Sequence, residues 1–165
     1  MLLIEIFGTQ DKNSNLSDKP VSLDDYSVEG MRALVVEDNE LNMEIARCIL
    51  EDRGMEVTCA ADGKEAVAIF EKSEPDYFGV IYMDIMMPRM NGLDAARTIR
   101  EMKRRDARRV PIIAMSANAF AEDIINSRME GMNVHLAKPL DAEKMIVALK
   151  QCMADNRDIK LHEDL

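Results

Sequence analysis

Four positions in this chain carry side chains able to do chemistry at the ends of short apolar runs. Ala33–Val36 is followed by Glu37 and Asp38, Val80–Met83 by Asp84, Ile112–Met115 by Ser116, and Val134–Ala137 by Lys138 and Pro139. Brought together, these residues amount to three carboxylates, one hydroxyl and one ammonium. Clustered carboxylates repel one another and need protons or a cation at neutral pH. A hard divalent ion answers that need, and Mg²⁺ suits a site of few carboxylates completed by waters and phosphate oxygens. Such an ion would also neutralise an incoming phosphoryl group while one of the carboxylates attacks phosphorus, the first step of acyl-phosphate formation. The Lys138 ammonium would stabilise charge on the transferring group, and Ser116 could donate to it. Singly, each residue has a plainer explanation. Asp38 or Asn39 could cap a helix, Ser116 could cap another, and Lys138 could be a surface charge before a turn.

The elements that must position them are legible from periodicity. Five apolar runs (the four above and Val57–Ala60) alternate with amphipathic segments from Met31 onward. Runs one, three and four show no polar alternation, as expected of strands covered on both faces of a parallel sheet. Leu41, Ile45, Cys48 and Ile49 fall on one predicted helical face, and Met145, Ala148, Leu149 and Cys152 on another. Gly54 and Gly131 stand where helices should end. Five strand–helix pairs imply a doubly wound α/β fold with helices on both faces of a parallel sheet. Ligands of such sheets bind beyond the carboxyl ends of the strands, where all of the chemistry-bearing residues stand.

Composition narrows the class. Hydrophobic residues make up 47% of the 165 positions and aromatics only 4%, so the core must rest on aliphatic residues and on the fourteen Met. A formal charge of -10 disfavours a general nucleic-acid surface. The local basic stretch from Arg97 to Arg109 reads as a solvated helix end more readily than as a docking patch. Three cysteines without metal-ligand spacing read as buried thiols of a reducing compartment. No apolar run approaches the ~18 residues of a membrane span, and no signal peptide is evident, so a cytoplasmic location without membrane contact is expected. Residues 1–29 read as a linker or the end of a preceding domain, with Leu2–Phe7 either a short strand or a frayed end. Residues 30–154 form the expected domain and 155–165 a tail.

Four ordered motifs, VVEDNELN (35–42), YMDIMMPRMNG (82–92), IIAMSANAF (112–120) and HLAKPLD (135–141), resemble the response-regulator receiver family of two-component signalling. The resemblance implies a flavodoxin-like, five-stranded parallel sheet of order 2-1-3-4-5. It implies Asp84 as phosphoacceptor, taking a phosphoryl group from a phosphohistidine by self-catalysed transfer and losing it by autodephosphorylation. It implies Mg²⁺ as cofactor, with Mn²⁺ able to substitute, held by Asp38, Asp84, the Met86 backbone carbonyl and, through water, Glu37. Lys138 and Ser116 match the family's phosphoryl-contacting lysine and switch hydroxyl, and the Lys138–Pro139 bond is often cis. Where the family often has Tyr or Phe, three residues before the lysine, this chain has His135. It is expected either as a switch residue beside Ser116 or as an ordinary strand residue. Met86 and Asn118 flank the expected phosphoryl site, and an apolar Met86 is expected to hinder the hydrolytic water.

NELN, MSANAF and GMNVHLAKPLD look most like receivers carried by hybrid histidine kinases. The expected partners are then a histidine kinase core, in the same chain or another, and a histidine phosphotransfer protein, and the parent protein could be membrane-anchored. A stand-alone receiver and a phosphate-independent docking module are the alternatives. An aspartyl-phosphate phosphatase is disfavoured because Met86 occupies the place of its second Asp. A dinucleotide-binding domain is disfavoured because no Gly-rich turn follows the first predicted strand.

Overall fold

A computed structural model describes the main chain of residues 4–6, 22–117 and 121–163, and side chains within 22–117 and 124–156. Asn118, most of the linker and the ends of the chain lie outside the described residues. The elements in chain order are β1 (Ile4–Ile6), a 3-10 turn (Leu23–Asp25), β2 (Arg32–Val36), α1 (Glu40–Glu51), β3 (Glu56–Ala60), α2 (Gly63–Lys72), β4 (Val80–Asp84), α3 (Gly92–Arg100), β5 (Ile112–Ser116), α4 (Ala121–Met129), β6 (Val134–Ala137) and α5 (Ala142–Glu163). The last helix runs on as far as Glu163, through much of the stretch expected as a tail.

The sheet order is β1-β6-β5-β4-β2-β3. Strands β2 to β6 pair in parallel, so the five strands read from the sequence take the order 2-1-3-4-5 among themselves. The addition is β1, which pairs antiparallel with β6 in the register Ile4 to Leu136, Glu5 to His135 and Ile6 to Val134. The opening segment is thus a strand of this sheet.

Alternate residues of each strand feed opposite layers. Ala33 and Val35 of β2 pack with Ala46 and Leu50 of α1 and with Met145, Ala148 and Leu149 of α5. Leu34 and Val36 pack with Ala66 and Phe70 of α2 and Ala95, Ala96 and Ile99 of α3. All of β4 and β5 are buried, in keeping with their unbroken apolar runs. The expected α5 face is buried throughout. Of the expected α1 face only Ile49 packs against the core: Leu41 is 69% exposed, Ile45 and Cys48 are exposed, and Met43, Ala46 and Leu50 are the other α1 residues turned inward. A helix with apolar residues on two faces has no single reading from periodicity, and here Ala46 and Leu50 are the fully buried ones. Of the cysteines only Cys152 is buried, while Cys48 and Cys59 are exposed.

The basic stretch divides between surface and structural roles. Arg100 donates to the carbonyls of Gly131 and Ala107 and to Asn133 Oδ1, at 2.9, 3.0 and 2.9 Å. Arg104 pairs with Asp106 at 2.6 Å, donates to the Phe70 carbonyl at 2.6 Å and lies over the Phe70 ring. These two arginines hold loop ends in place of missing backbone partners.

Gly54 and Gly131 have φ of 81° and 89°, the left-handed turn expected after a helix. Gly92 matters for a different reason. Its amide donates to the Ile85 carbonyl at 2.9 Å, and a β-carbon there would collide with the carbonyl oxygen of Asp84. Replacement by Ala must therefore push the loop after β4 off the end of its strand. Gly92→Ala is expected to cost about 1–3 kcal/mol of stability, the range for a side chain forced into filled space. Chemical denaturation checks it, and an unchanged midpoint would contradict the close approach.

Candidate functional site

The residues singled out from sequence converge at the carboxyl edge of the parallel strands. Glu37 follows β2 and is 2% exposed, Asp84 ends β4 at 3%, and Ser116 ends β5 at 3%. Asp38, beside Glu37, is exposed. One carboxylate oxygen from each of Glu37, Asp38 and Asp84 lies within 4.8 Å of the others. Asn39, not Asp38, caps α1, its side chain accepting from the Asn42 amide at 2.9 Å, and Asp38 has a carboxylate oxygen in the acidic cluster.

Lys138 leaves β6 and reaches across the edge. Its Nζ donates to Glu37 Oε2 at 2.8 Å and to Asp84 Oδ2 at 3.3 Å. The other Asp84 oxygen, Oδ1, accepts from the Met86 amide at 3.2 Å, and Glu37 Oε1 accepts from the Asn39 amide at 3.3 Å. The Lys138–Pro139 bond is cis, and the Lys138 amide donates to the Ser116 carbonyl at 2.8 Å, tying the ends of β5 and β6 together.

Burial is the main cause that pushes the Asp84 carboxyl up to about 7, with the charge of Glu37 adding to it and Lys138 opposing. Burial by itself would lower the Lys138 ammonium, but the hydrogen bond to Glu37 and the charge of Asp84 outweigh it and hold Lys138 above its ordinary value. Two of the three clustered carboxylates, Glu37 and Asp84, thus share one ammonium. An all-oxygen donor set with surplus negative charge fits a hard divalent cation such as Mg²⁺ better than a thiolate- or imidazole-loving metal.

His135 is 1% exposed and stands between two hydroxyls. Its Nε2 is 2.6 Å from Ser116 Oγ and its Nδ1 is 3.3 Å from Ser127 Oγ on α4. Ser127 had not stood out, because a serine within a helical segment carries no signal until the fold sets it against a ring. Asp62 was also missed. It is buried, caps α2 by accepting from the Glu65 amide at 2.8 Å, and pairs with Arg89 at 2.6 Å, anchoring the loop that follows Asp84. The capping half of its role was available as D-x-x-E before an apolar run. The Arg89 half needs the fold.

In metal-free protein the raised Asp84 carboxyl predicts a pH effect of definite sign. The fold favours the protonated form, so this contribution is complete below the ordinary carboxylate range near ~4 and is lost as pH rises through about 7. With chelator present, parent protein is expected to lose about 1–2 kcal/mol relative to Asp84→Asn between about pH 5 and about pH 8, after allowance for solvent screening. Added Mg²⁺ should recover most of the loss at the higher pH. Parallel denaturation curves for the two proteins would refute this.

The family model for the response regulator receiver domain matches residues 33–150. A probable histidine kinase 2 of Oryza sativa subsp. indica is 36% identical over 137 residues, covering 76% of this chain and 13% of the kinase, so the chain spans only a small part of that relative. The polar-differentiation response regulator DivK of Brucella ovis is 31% identical over 122 residues, covering 74% of this chain and 95% of DivK. Among solved structures, the receiver domain of the sensor histidine kinase PA1611 from Pseudomonas aeruginosa PAO1, which has a magnesium ion in its active-site cleft, is 37% identical with a TM-score of 0.68, covering 76% of this chain and 98% of that one. With its five parallel strands in the receiver order and its carboxylate cluster at their ends, this chain belongs to the response regulator receiver domain family.

Proposed function

We propose that Asp84 is the phosphoacceptor of this receiver domain and that the phosphoryl group arrives from a phosphohistidine. The observation that carries the reading is the Asp84 carboxylate itself: buried, neighboured by Glu37 and Asp38, and held at 3.3 Å from the Lys138 ammonium. An Asp84 oxygen attacks phosphorus, the new O–P bond forms as the N–P bond of the donor breaks, and the departing imidazole keeps the electron pair. Lys138 moves its charge from the carboxylates onto the phosphoryl oxygens, and the Met86 amide holds Asp84 in line. Asp38, Asp84, the Met86 carbonyl and, through water, Glu37 would hold Mg²⁺, with Mn²⁺ as a substitute. When bound, the ion supplies positive charge that keeps Asp84 ionised and screens the incoming phosphoryl group. The same residues would support slow autodephosphorylation.

Likeness to histidine kinases at 30–36% identity and to the PA1611 kinase receiver at 37% supports an origin in a hybrid histidine kinase, while DivK at 31% keeps a stand-alone receiver as the alternative. The kinase core, in the same chain or another, would be the donor, and a histidine phosphotransfer protein the next acceptor. Exposed apolar side chains on α1 (Leu41 and Ile45) and at Met86, close in sequence to the acidic pair and to Asp84, suit a protein partner at this edge. A cytoplasmic location follows from that chemistry, and no described helix is long and apolar enough to cross a membrane. Residues 30–154 are the proposed receiver unit, to whose sheet β1 adds a strand from the other side of the linker.

Incubation with acetyl phosphate and Mg²⁺ is expected to add about 80 Da, one acyl phosphate, by intact mass. Chelator and Asp84→Ala should each abolish it, and an adduct surviving in Asp84→Ala would refute the assignment. Met86 is 74% exposed beside the acceptor. Replacing this apolar cover by Asn should shorten the phosphoaspartate half-life severalfold by admitting and orienting water. A half-life equal to or longer than that of the parent would refute the shielding role.

A further inference from the structure

The loop between β4 and α3 is fixed at both ends and leans on α2 in between. The Ile85 amide donates to the Met115 carbonyl at 3.0 Å, and the Gly92 amide to the Ile85 carbonyl at 2.9 Å. Midway, the Arg89 guanidinium pairs with Asp62 Oδ2 at 2.6 Å, the Arg89 side chain being 72% exposed and that of Asp62 only 4%. The other oxygen of Asp62, Oδ1, accepts from the Glu65 amide at 2.8 Å, so this carboxylate is already built into the start of α2. The next residue, Gly63, lies so close to the Met90 carbonyl that a β-carbon there would collide with it. Arg89 itself has φ of 67°. Residues with side chains rarely adopt that left-handed conformation, and it persists where surroundings enforce it. A buried carboxylate without a compensating cation is costly, so this pair grips the loop harder than an exposed ion pair would.

We propose that Arg89 and Asp62 are positioning residues for the acceptor site: their ion pair ties the loop to α2 and so holds Met86 where its amide meets Asp84 and its carbonyl is available to Mg²⁺. This rests on the metal reading given above. Met86 lies three residues before Arg89, and its amide donates to Asp84 Oδ1 at 3.2 Å. Neither side chain of the pair needs to touch the cation or the phosphoryl group. Charge and tethering act with different signs here. Removing the Arg89 cation would, by charge alone, tighten binding of a divalent cation, and neutralising Asp62 would weaken it. Removing both would nearly cancel. Loss of the tether weakens binding in all three cases, because an outer partner that orients a metal ligand is lost each time.

The test is an Mg²⁺ titration of unphosphorylated protein followed by amide NMR, with exchange of the Met86 amide measured beforehand in the metal-free state. Asp62→Asn removes the charge and keeps the cap, since Asn caps a helix as well as Asp does. Asp62→Asn, Arg89→Gln and the double variant are each expected to weaken Mg²⁺ binding by about 10-fold. The factor should be shared and not multiplied, because the three variants break one interaction. The Met86 amide should exchange severalfold faster in all of them with no metal present, and Arg89→Lys should recover part of the affinity. The exposed Arg89 can be replaced without disturbing the core, so Arg89→Gln decides the matter even where Asp62→Asn fails to fold. Arg89→Gln binding Mg²⁺ as tightly as the parent or more tightly overturns the positioning role, as does a Met86 amide unchanged in that variant. A parent protein that binds no Mg²⁺ overturns the metal reading and the positioning role with it.

Discussion

The arrangement depends on keeping one carboxylate out of water beside another. Asp84 and Glu37 are both almost wholly buried, and the only ammonium bonded to them among the described residues is that of Lys138, shared at 3.3 and 2.8 Å. A pair of this kind is tolerable only when every oxygen has a partner and no partner can drift. The sheet supplies that rigidity. Glu37, Asp84 and Lys138 leave β2, β4 and β6, three parallel strands whose carboxyl ends necessarily lie on one side. Reversing any one of those strands would send its residue to the opposite edge and leave a buried charge unmatched.

That dependence explains what was legible in the sequence. Strands covered on both faces must be continuously apolar, and β4 and β5 announce themselves that way. The polar residues after parallel strands lie at one edge, so the convergence of Glu37, Asp38, Asp84 and Lys138 followed from the fold argument, and their proposed roles did not. What failed to show was whatever depends on the third dimension alone. The α1 face was misjudged because Leu41 and Ile45 are as apolar as a core stripe, and only packing decides that Met43, Ala46 and Leu50 turn inward. Arg100 and Arg104 look like solvated cations until loop carbonyls are found within reach of their guanidinium groups. Ser127 has no meaning in a helix until His135 lies opposite.

The edge of the sheet adds a constraint that the five-stranded plan does not contain. β6 would present a row of unpaired backbone groups, an invitation to pair with other chains. In this protein β1 takes that place, and the Glu5 position lies directly across from His135 in the ladder. A three-residue strand separated from the rest by a long polar stretch has too little pattern to be distinguished from a frayed end. Its pairing has a mechanical consequence all the same. The main chain that carries His135 is bonded on both sides, to β5 and to β1, so rearrangement at this position must occur in the side chain before it can occur in the strand.

The same restraint bears on how the proposed phosphoacceptor role of Asp84 would be coupled to shape. Lys138 and Ser116 are joined through the backbone bond between the Lys138 amide and the Ser116 carbonyl, which pins the two strand ends together. On the proposed phosphoacceptor role of Asp84, a phosphoryl group there would compete for the Lys138 ammonium that Glu37 now shares. Because the ends are fixed, the adjustment passes to the partners left behind. Glu37 retains the Asn39 amide at the start of α1. The ring of His135 has Ser127 of α4 as its other hydroxyl neighbour. A stiff sheet with side chains at its edge would therefore pass a change of charge outward to the helices those side chains touch, α1 through Glu37 and Asn39 and α4 through His135 and Ser127.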